Sequence, residues 1–226
     1  TPPDRSTYLP AIGVALGLAW GLSVVARDRK LVATAALVAA AACVGATARQ
    51  ITHWRDEEAL VRHALTVTDD NGPAELALAR ILVARGAWDE GATHAAEAVR
   101  LRPADDEAQT LLGEVRLRGG HLDAAAEHFA RAVAVRPDNV PARFGMGRIA
   151  QRRGHLETAT AVYRDVLERA PDDAATHEAL ARVLRQRGDL TGAREHFERA
   201  LALGAPPAAV LGALAQTLAE SGDLDG

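Results

Sequence analysis

Glycine recurs every 34 residues in this chain, and that interval constrains the fold more than any other feature. The in-phase glycines are Gly86, Gly120, Gly154, Gly188 and Gly222. A large apolar residue follows each glycine two positions later: Trp88, Leu122, Leu156, Leu190 and Leu224. The same interval separates Pro103, Pro137 and Pro171. A repeat of this length is typical of arrays of helical hairpins, so we expect an all-α fold.

The residue types within one block fit two helices joined by a tight turn. Large and small residues are paired where the helices cross, as in Leu112-Gly113. The recurring glycine predicts the left-handed residue that ends the first helix. The second helix carries an in-phase aromatic residue: Phe129, Tyr163 and Phe197. Proline cannot continue that helix, and the acids after it are candidate N-caps of the next one: Asp105, Asp138, Asp172 and Asp173.

These patterns resemble the tetratricopeptide repeat, which has the small-large pairs, the Gly-x-Leu turn, the aromatic and the terminal Pro-Asp. The resemblance implies a right-handed superhelix, or α-solenoid, over residues 51–226. Its predicted units are a half repeat 54–71, repeats 72–105, 106–139, 140–173 and 174–207, and a partial repeat 208–226.

The N-terminal part has two uncharged runs, at residues 9–26 and 31–48, separated by the charged residues 27–30. Each run is long enough for a spanning helix, which needs about 17–25 residues. We therefore expect a transmembrane hairpin within residues 1–50, with lipid around 9–48. Two buried helices of a soluble domain are the alternative. A signal peptide fits badly, because no basic leader precedes the first run.

Basic residues between the two runs favour a cytoplasmic connection. Both ends of the chain then lie outside the cytoplasm, although the opposite side carries at least as many basic residues: Arg5, Arg49, Arg55 and Arg62. We expect an integral membrane protein whose repeats are extracytoplasmic, on the periplasmic side.

A second resemblance covers the junction between these parts. Residues 4–22 and 48–71 resemble the last membrane helices, and the start of the repeats, in the transmembrane and tetratricopeptide repeat-containing proteins. Those proteins resemble multi-spanning glycosyltransferases, and some act as protein O-mannosyltransferases. The resemblance implies that the catalytic acidic residue of those proteins lies in an early extracytoplasmic loop. That loop is not among the residues matched here, so the resemblance assigns no active-site residue to this sequence. Whether the parent protein is an enzyme stays open.

Composition excludes several classes of site. A net charge of −4 and a pI of about 6.1 argue against nucleic-acid binding. The single cysteine, Cys43, excludes a disulfide framework and a cysteine-based zinc site. Equivalent histidines such as His128 and His196 lie in different repeats, about 10 Å apart per packed helix, which is too far for one metal ion. Paired acids at the repeat boundaries fit helix capping better than acid–base catalysis. We predict no catalytic residue, metal or cofactor.

The remaining candidate site is the inner face formed by the first helices. Its expected groove residues are Arg80, Glu114, Arg118, Arg148, Arg152, Arg182 and Arg185. Because arginine binds carboxylates in bidentate fashion, we expect a groove for a protein or peptide of acidic character. An ordinary solvated helix face is the alternative. The predicted function is a membrane-anchored scaffold for protein–protein interaction. The other interpretation is the acceptor-recognition end of a polytopic protein O-glycosyltransferase.

Overall fold

The computed structural model describes residues 57–222, and all regular structure in that range is α-helical. The ten helices are α1 (Glu57–Val67), α2 (Gly72–Ala84), α3 (Trp88–Leu101), α4 (Asp106–Arg118), α5 (Leu122–Val135), α6 (Val140–Arg152), α7 (Leu156–Arg169), α8 (Ala174–Gln186), α9 (Leu190–Ala202) and α10 (Pro207–Ser221). The predicted all-α class is confirmed for this range.

None of the helices between residues 57 and 222 combines the length and apolarity that a membrane crossing requires. The predicted spans at 9–26 and 31–48 lie outside the described residues.

The chain divides into two units between Leu78 and Ala79, inside α2. The described part of the first unit contains α1 and the start of α2. Asn71 begins α2, because its side-chain oxygen accepts from the Ala74 amide at 3.1 Å. Its amide group also donates to Thr68 Oγ1 at 2.9 Å.

The second unit is a stack of antiparallel helix pairs. Helix α4 packs on α5, α6 on α7, and α8 on α9, and each second helix also packs on the first helix that follows it. Consecutive first helices (α4, α6, α8 and α10) are also in contact, whereas no consecutive second helices of the described unit pack as closely. The first helices therefore form the inner row of this solenoid-like unit.

The turn glycines adopt the predicted conformation. All five have φ between +75° and +84°. At Gly120 the His121 amide donates to the Arg116 carbonyl, and the Gly120 amide donates to the Leu117 carbonyl. These are the two hydrogen bonds of a Schellman motif, which ends α4 and reverses the chain into α5.

The predicted N-caps are correct at two boundaries and wrong at a third. Asp105 and Asp173 cap α4 and α8 through backbone amides of their first turns. Helix α6 is capped by Asn139 and not by Asp138, since the cap must directly precede the first helical residue and Asn139 holds that place. Asp172 is not a cap; it forms an ion pair with Arg199 at 2.6 Å.

Asn139 also joins two repeats. It is 2% exposed, and its side-chain nitrogen donates to Asp106 Oδ2 at 2.7 Å and to Thr110 Oγ1 at 3.0 Å. Its oxygen accepts from the Ala142 amide at 2.9 Å. One side chain therefore caps α6 and ties it to α4.

A fully buried phenylalanine links the same two first helices by packing. Phe129 on α5 lies against Gly113 of α4 and Gly145 of α6. A Cβ added at Gly145 would stand 2.4 Å from the Phe129 ring, and one at Gly113 would stand 2.7 Å from it. The ring therefore requires both helices to come close without side chains.

The substitution Gly145→Ala should destabilise the chain. Overpacking costs about 1–3 kcal/mol, and the better helix propensity of alanine returns up to about 1 kcal/mol. We expect a net loss of about 1–2 kcal/mol, measured as a lower thermal unfolding midpoint of the full chain.

Gly212→Ala is the matched control, because Gly212 is also helical and a Cβ there meets nothing within 4 Å. It should be neutral or slightly stabilising. Equal falls in the unfolding midpoint for both variants would show that Phe129 does not depend on Gly145.

Candidate functional site

The ninth positions of the first helices place four charged side chains in one row. They are Arg80 on α2, Glu114 on α4, Arg148 on α6 and Arg182 on α8. Because α4, α6 and α8 contact one another in order, equivalent positions follow each other along the inner face. The row carries three positive charges and one negative charge.

A cavity of about 270 Å³ opens beside the first half of this row. Its lining residues are Arg80, Glu107, Thr110, Leu111, Glu114, Arg136, Asn139 and Pro141. Small-molecule sites usually measure roughly 300–1,000 Å³. The cavity lies just below that range, and it has room for one side chain of a larger ligand.

The basic groups of the cavity already have acidic partners. Arg136 forms an ion pair with Asp106 at 2.6 Å, and Arg80 forms a longer one with Glu107 at 3.5 Å. Asn139 is occupied by the hydrogen bonds described above. These charges are largely compensated within the protein.

Glu114 differs from the other groups of the cavity. Its side chain is half-buried, and this burial raises the pKa of the carboxyl group, while the positive charge of Arg148 acts in the opposite direction. No hydrogen bond or ion pair joins Glu114 to another group within residues 57–222. The carboxylate therefore has unfilled capacity to accept hydrogen bonds.

Two of the predicted groove residues instead connect neighbouring first helices. Arg152 donates from Nη1 to the Leu117 carbonyl of α4 at 2.6 Å. Arg185 of α8 donates to Glu220 of α10 at 3.0 Å. Both residues are positioned to hold the stack together, so their guanidinium groups are less available to a ligand than the ninth-position arginines.

Two other arginines of the predicted set have partners on the surface. Arg118 places its guanidinium carbon 4.1 Å from the ring centroid of Trp88, which is cation–π geometry. Arg182 donates to Glu178, one turn away on α8, at 2.6 Å. The structure thus brings Glu114 and Arg148 together at the centre of the row. Ligand binding by the seven residues remains a prediction.

A series at the fourth position of the blocks escaped the sequence-based prediction. Gln109, Arg143 and His177 each bond to the carbonyl of the boundary proline six residues earlier, at 2.9, 2.6 and 3.0 Å. Their opposite ends reach the second helix of the same hairpin. The three residue types differ, so the only signal in the sequence was a long hydrogen-bonding side chain six residues after each proline.

One member of this series forms a histidine pair. The Nδ1 atoms of His177 and His196 are 2.8 Å apart. Because the Pro171 carbonyl can only accept, Nε2 of His177 carries a proton and donates to it. Burial first, and then the charge of His177, lower the pKa of His196. Nδ1 of the equivalent His128 instead lies 2.8 Å from Oε1 of Gln109. The two equivalent histidines therefore form hydrogen bonds within different hairpins, and with different residue types.

No cluster of three or more residues able to hold a metal ion occurs among residues 57–222. The acidic pairs at the repeat boundaries include the caps Asp105 and Asp173.

A curated relative is similar to less than half of the chain. Over 105 residues the chain is 32% identical to protein O-mannosyl-transferase Tmtc2 of Drosophila melanogaster, an alignment that covers 44% of this chain and 11% of that protein. The chain thus spans about a tenth of the length of this relative.

Solved structures share the fold. TTC0263 of Thermus thermophilus, a thermophilic TPR protein, has a TM-score of 0.59 and 26% identity, over 68% of this chain and 84% of that one. YrrB, described as a TPR protein with an unusual peptide-binding site, has a TM-score of 0.57 and 19% identity, over 73% and 85%. At that identity, the likeness to YrrB shows the fold alone.

Family profiles agree with the geometry of the helix pairs. Three profiles, each described as tetratricopeptide repeat, match residues 76–141, 116–183 and 176–208. Together they cover four of the turn glycines and the ninth-position residues described above. The chain belongs to the tetratricopeptide repeat family.

Proposed function

We propose that this chain is an interaction scaffold that binds an extended, carboxylate-rich peptide segment of a partner protein. The observation that carries the proposal is the row of ninth-position side chains on the first helices, of which α4, α6 and α8 contact one another in order. Three of the four are arginines: Arg80, Arg148 and Arg182. Arginine presents paired N–H groups that match the two oxygens of a carboxylate.

The present partners of these arginines are weak competitors for a ligand. Arg80 is 67% exposed and lies 3.5 Å from Glu107, and Arg182 pairs with Glu178 on the helix surface. Exposed pairs of this kind contribute about 0–1 kcal/mol. Arg148 has no hydrogen bond or ion pair to any residue within 57–222, and only its charge acts on Glu114 and Tyr163. The three arginines can therefore bind the carboxylates of a peptide at little cost in existing contacts.

The triple variant Arg80→Glu, Arg148→Glu and Arg182→Glu should bind such peptides poorly. Peptides of about twelve residues with glutamate at every third position provide the probe, and fluorescence anisotropy measures their Kd. We expect at least a roughly tenfold weaker Kd for the variant, because each close charge pair lost or reversed costs on the order of 1 kcal/mol.

A control triple variant changes the same number of charges on the second helices. It carries Arg100→Glu, Arg131→Glu and Arg164→Glu, all at exposed positions. This variant should retain the Kd of the unmodified chain. The proposal fails if the two triple variants bind equally, or if peptides with lysine in place of glutamate bind as tightly.

We also propose that residues 9–26 and 31–48 anchor the protein in a membrane, with the repeats on the extracytoplasmic, periplasmic side. Two uncharged runs of spanning length and the basic residues between them support this proposal.

The variant Val14→Asp with Leu18→Asp should leave the membrane fraction. Aspartate near the centre of a spanning helix costs about 2.5–3.5 kcal/mol, so flotation after alkaline extraction should recover less of the variant with lipid. Val67→Asp with Val135→Asp adds the same charge at exposed positions of the repeats and should float normally. Equal flotation of both variants would count against anchoring. Protease protection of the repeats in sealed vesicles tests on which side of the membrane the repeats lie.

A second function is favoured by the similarity to Tmtc2. In that proposal the repeats present an acceptor to a membrane-embedded O-glycosyltransferase, with the catalytic residues outside these 226. An acceptor-recognition groove must bind the hydroxyl group that receives the sugar, whereas a scaffold does not need to contact a hydroxyl group.

Replacement of every serine and threonine by alanine in a bound peptide separates the two functions. For the transferase, we expect about tenfold weaker binding, because buried groups that recognise a hydroxyl lose their hydrogen bond. For the scaffold, the Kd should stay the same as long as the glutamates are kept. The matched control replaces the same number of alanines by glycine.

A further inference from the structure

The cavity beside Glu114 gives the groove a chemical preference that the arginines alone do not. This inference rests on the proposed function, because it concerns the peptide bound in the same groove. We infer that the groove selects a peptide with a basic side chain in the Glu114 cavity and an acidic side chain about three residues away, over Arg148.

The first argument is which polar groups around the cavity already have a hydrogen-bond or ion-pair partner. Arg136 and Arg80 have acidic partners at 2.6 and 3.5 Å, and Asn139 makes three hydrogen bonds. Glu114 makes none within the described part of the chain. A half-buried carboxylate has lost part of its hydration and here gains no protein hydrogen bond in return, so a ligand that donates to Glu114 gains more here than one that donates elsewhere in the cavity.

The shape of the cavity suits a long basic side chain. Leu111 and Pro141 provide apolar surface in its lining, and Glu107 lies in the lining as a second carboxylate. Lysine and arginine pack their methylene groups on apolar surface and keep the charged end on polar groups. A volume of about 270 Å³ accepts one such side chain.

The second argument is the charge of the next helix. Arg148 lies one repeat after Glu114 at the same block position, and its charge acts on Glu114 without an ion pair between them. It would repel a second basic group and attract an acidic one. Packed helices lie about 8–10 Å apart, and a peptide in the extended polyproline II conformation rises about 3.1 Å per residue and returns to the same face every three residues. The spacing between the basic and acidic side chains is therefore about three residues.

Four labelled peptides of serine and alanine test this preference on the full chain. Each carries two charged residues about three positions apart: lysine then glutamate, glutamate then lysine, two glutamates, or two lysines. We expect at least one mixed order to bind about ten times more tightly than either peptide with like charges, as measured by fluorescence anisotropy. Both mixed orders are included because the direction of the peptide chain in the groove is free in this proposal.

Glu114→Gln should remove the advantage of lysine while the shape of the side chain is kept. We expect the mixed peptide and a matched alanine–glutamate peptide to bind this variant equally. Glu127→Gln on α5 is the control, because it removes one exposed carboxylate from a second helix and should leave the order of Kd values unchanged. Circular dichroism of both variants confirms that each is folded.

The outcomes separate this inference from the proposed function. If peptides bind but two glutamates bind as tightly as the mixed pair, or if Glu114→Gln keeps the lysine advantage, the charge preference is wrong and the peptide groove stands. If none of the peptides binds, while the carboxylate-rich probe also fails, the groove itself is wrong. A lysine advantage that disappears in Glu114→Gln and persists in Glu127→Gln supports the inference.

Discussion

Each helical hairpin in the second unit depends on its neighbour, because two helices alone cannot bury all their apolar surface. Phe129 illustrates this dependence. Its ring is fully buried, and it fits only because Gly113 and Gly145 let α4 and α6 approach from both sides. The aromatic side chain of one hairpin therefore belongs to the core of two repeats, and this contact fixes the spacing of α4 and α6, which carry Glu114 and Arg148.

Polar contacts reinforce the same spacing. Asn139 joins α6 to α4, Arg152 reaches the Leu117 carbonyl, and Arg153 pairs with Asp123 of the preceding hairpin. All of these bonds cross repeat boundaries; Asn139 is buried, whereas the pair of Arg153 and Asp123 lies on the exposed surface. They use arginines that the sequence alone does not distinguish from arginines able to meet a ligand. The packing of the hairpins decides which arginines join neighbouring repeats and which can contact a ligand.

The candidate site could be predicted in outline and not in detail. Position in the 34-residue period placed Glu114 and Arg148 on first helices, because equivalent positions share a face when repeats stack. The period could not show that Arg152 bonds to a carbonyl or that Glu114 lies beside a cavity, since both depend on distances between residues of different repeats. The series Gln109, Arg143 and His177 was missed for a related reason. Its members share a geometric role and no residue type.

The helical hairpins, the left-handed turn glycines and the order of the helices could all be inferred from the residues alone. They follow from local physics, namely helix periodicity, the conformational freedom of glycine and the missing amide of proline. Two facts depend on the packing of neighbouring hairpins. Asn139 caps α6 and also bonds to α4, and Glu114 is half-buried without a hydrogen-bond partner in the described range. Hydrogen-bond satisfaction and burial are set by atoms far apart in the chain, and the repeat brings those atoms together only when neighbouring hairpins pack.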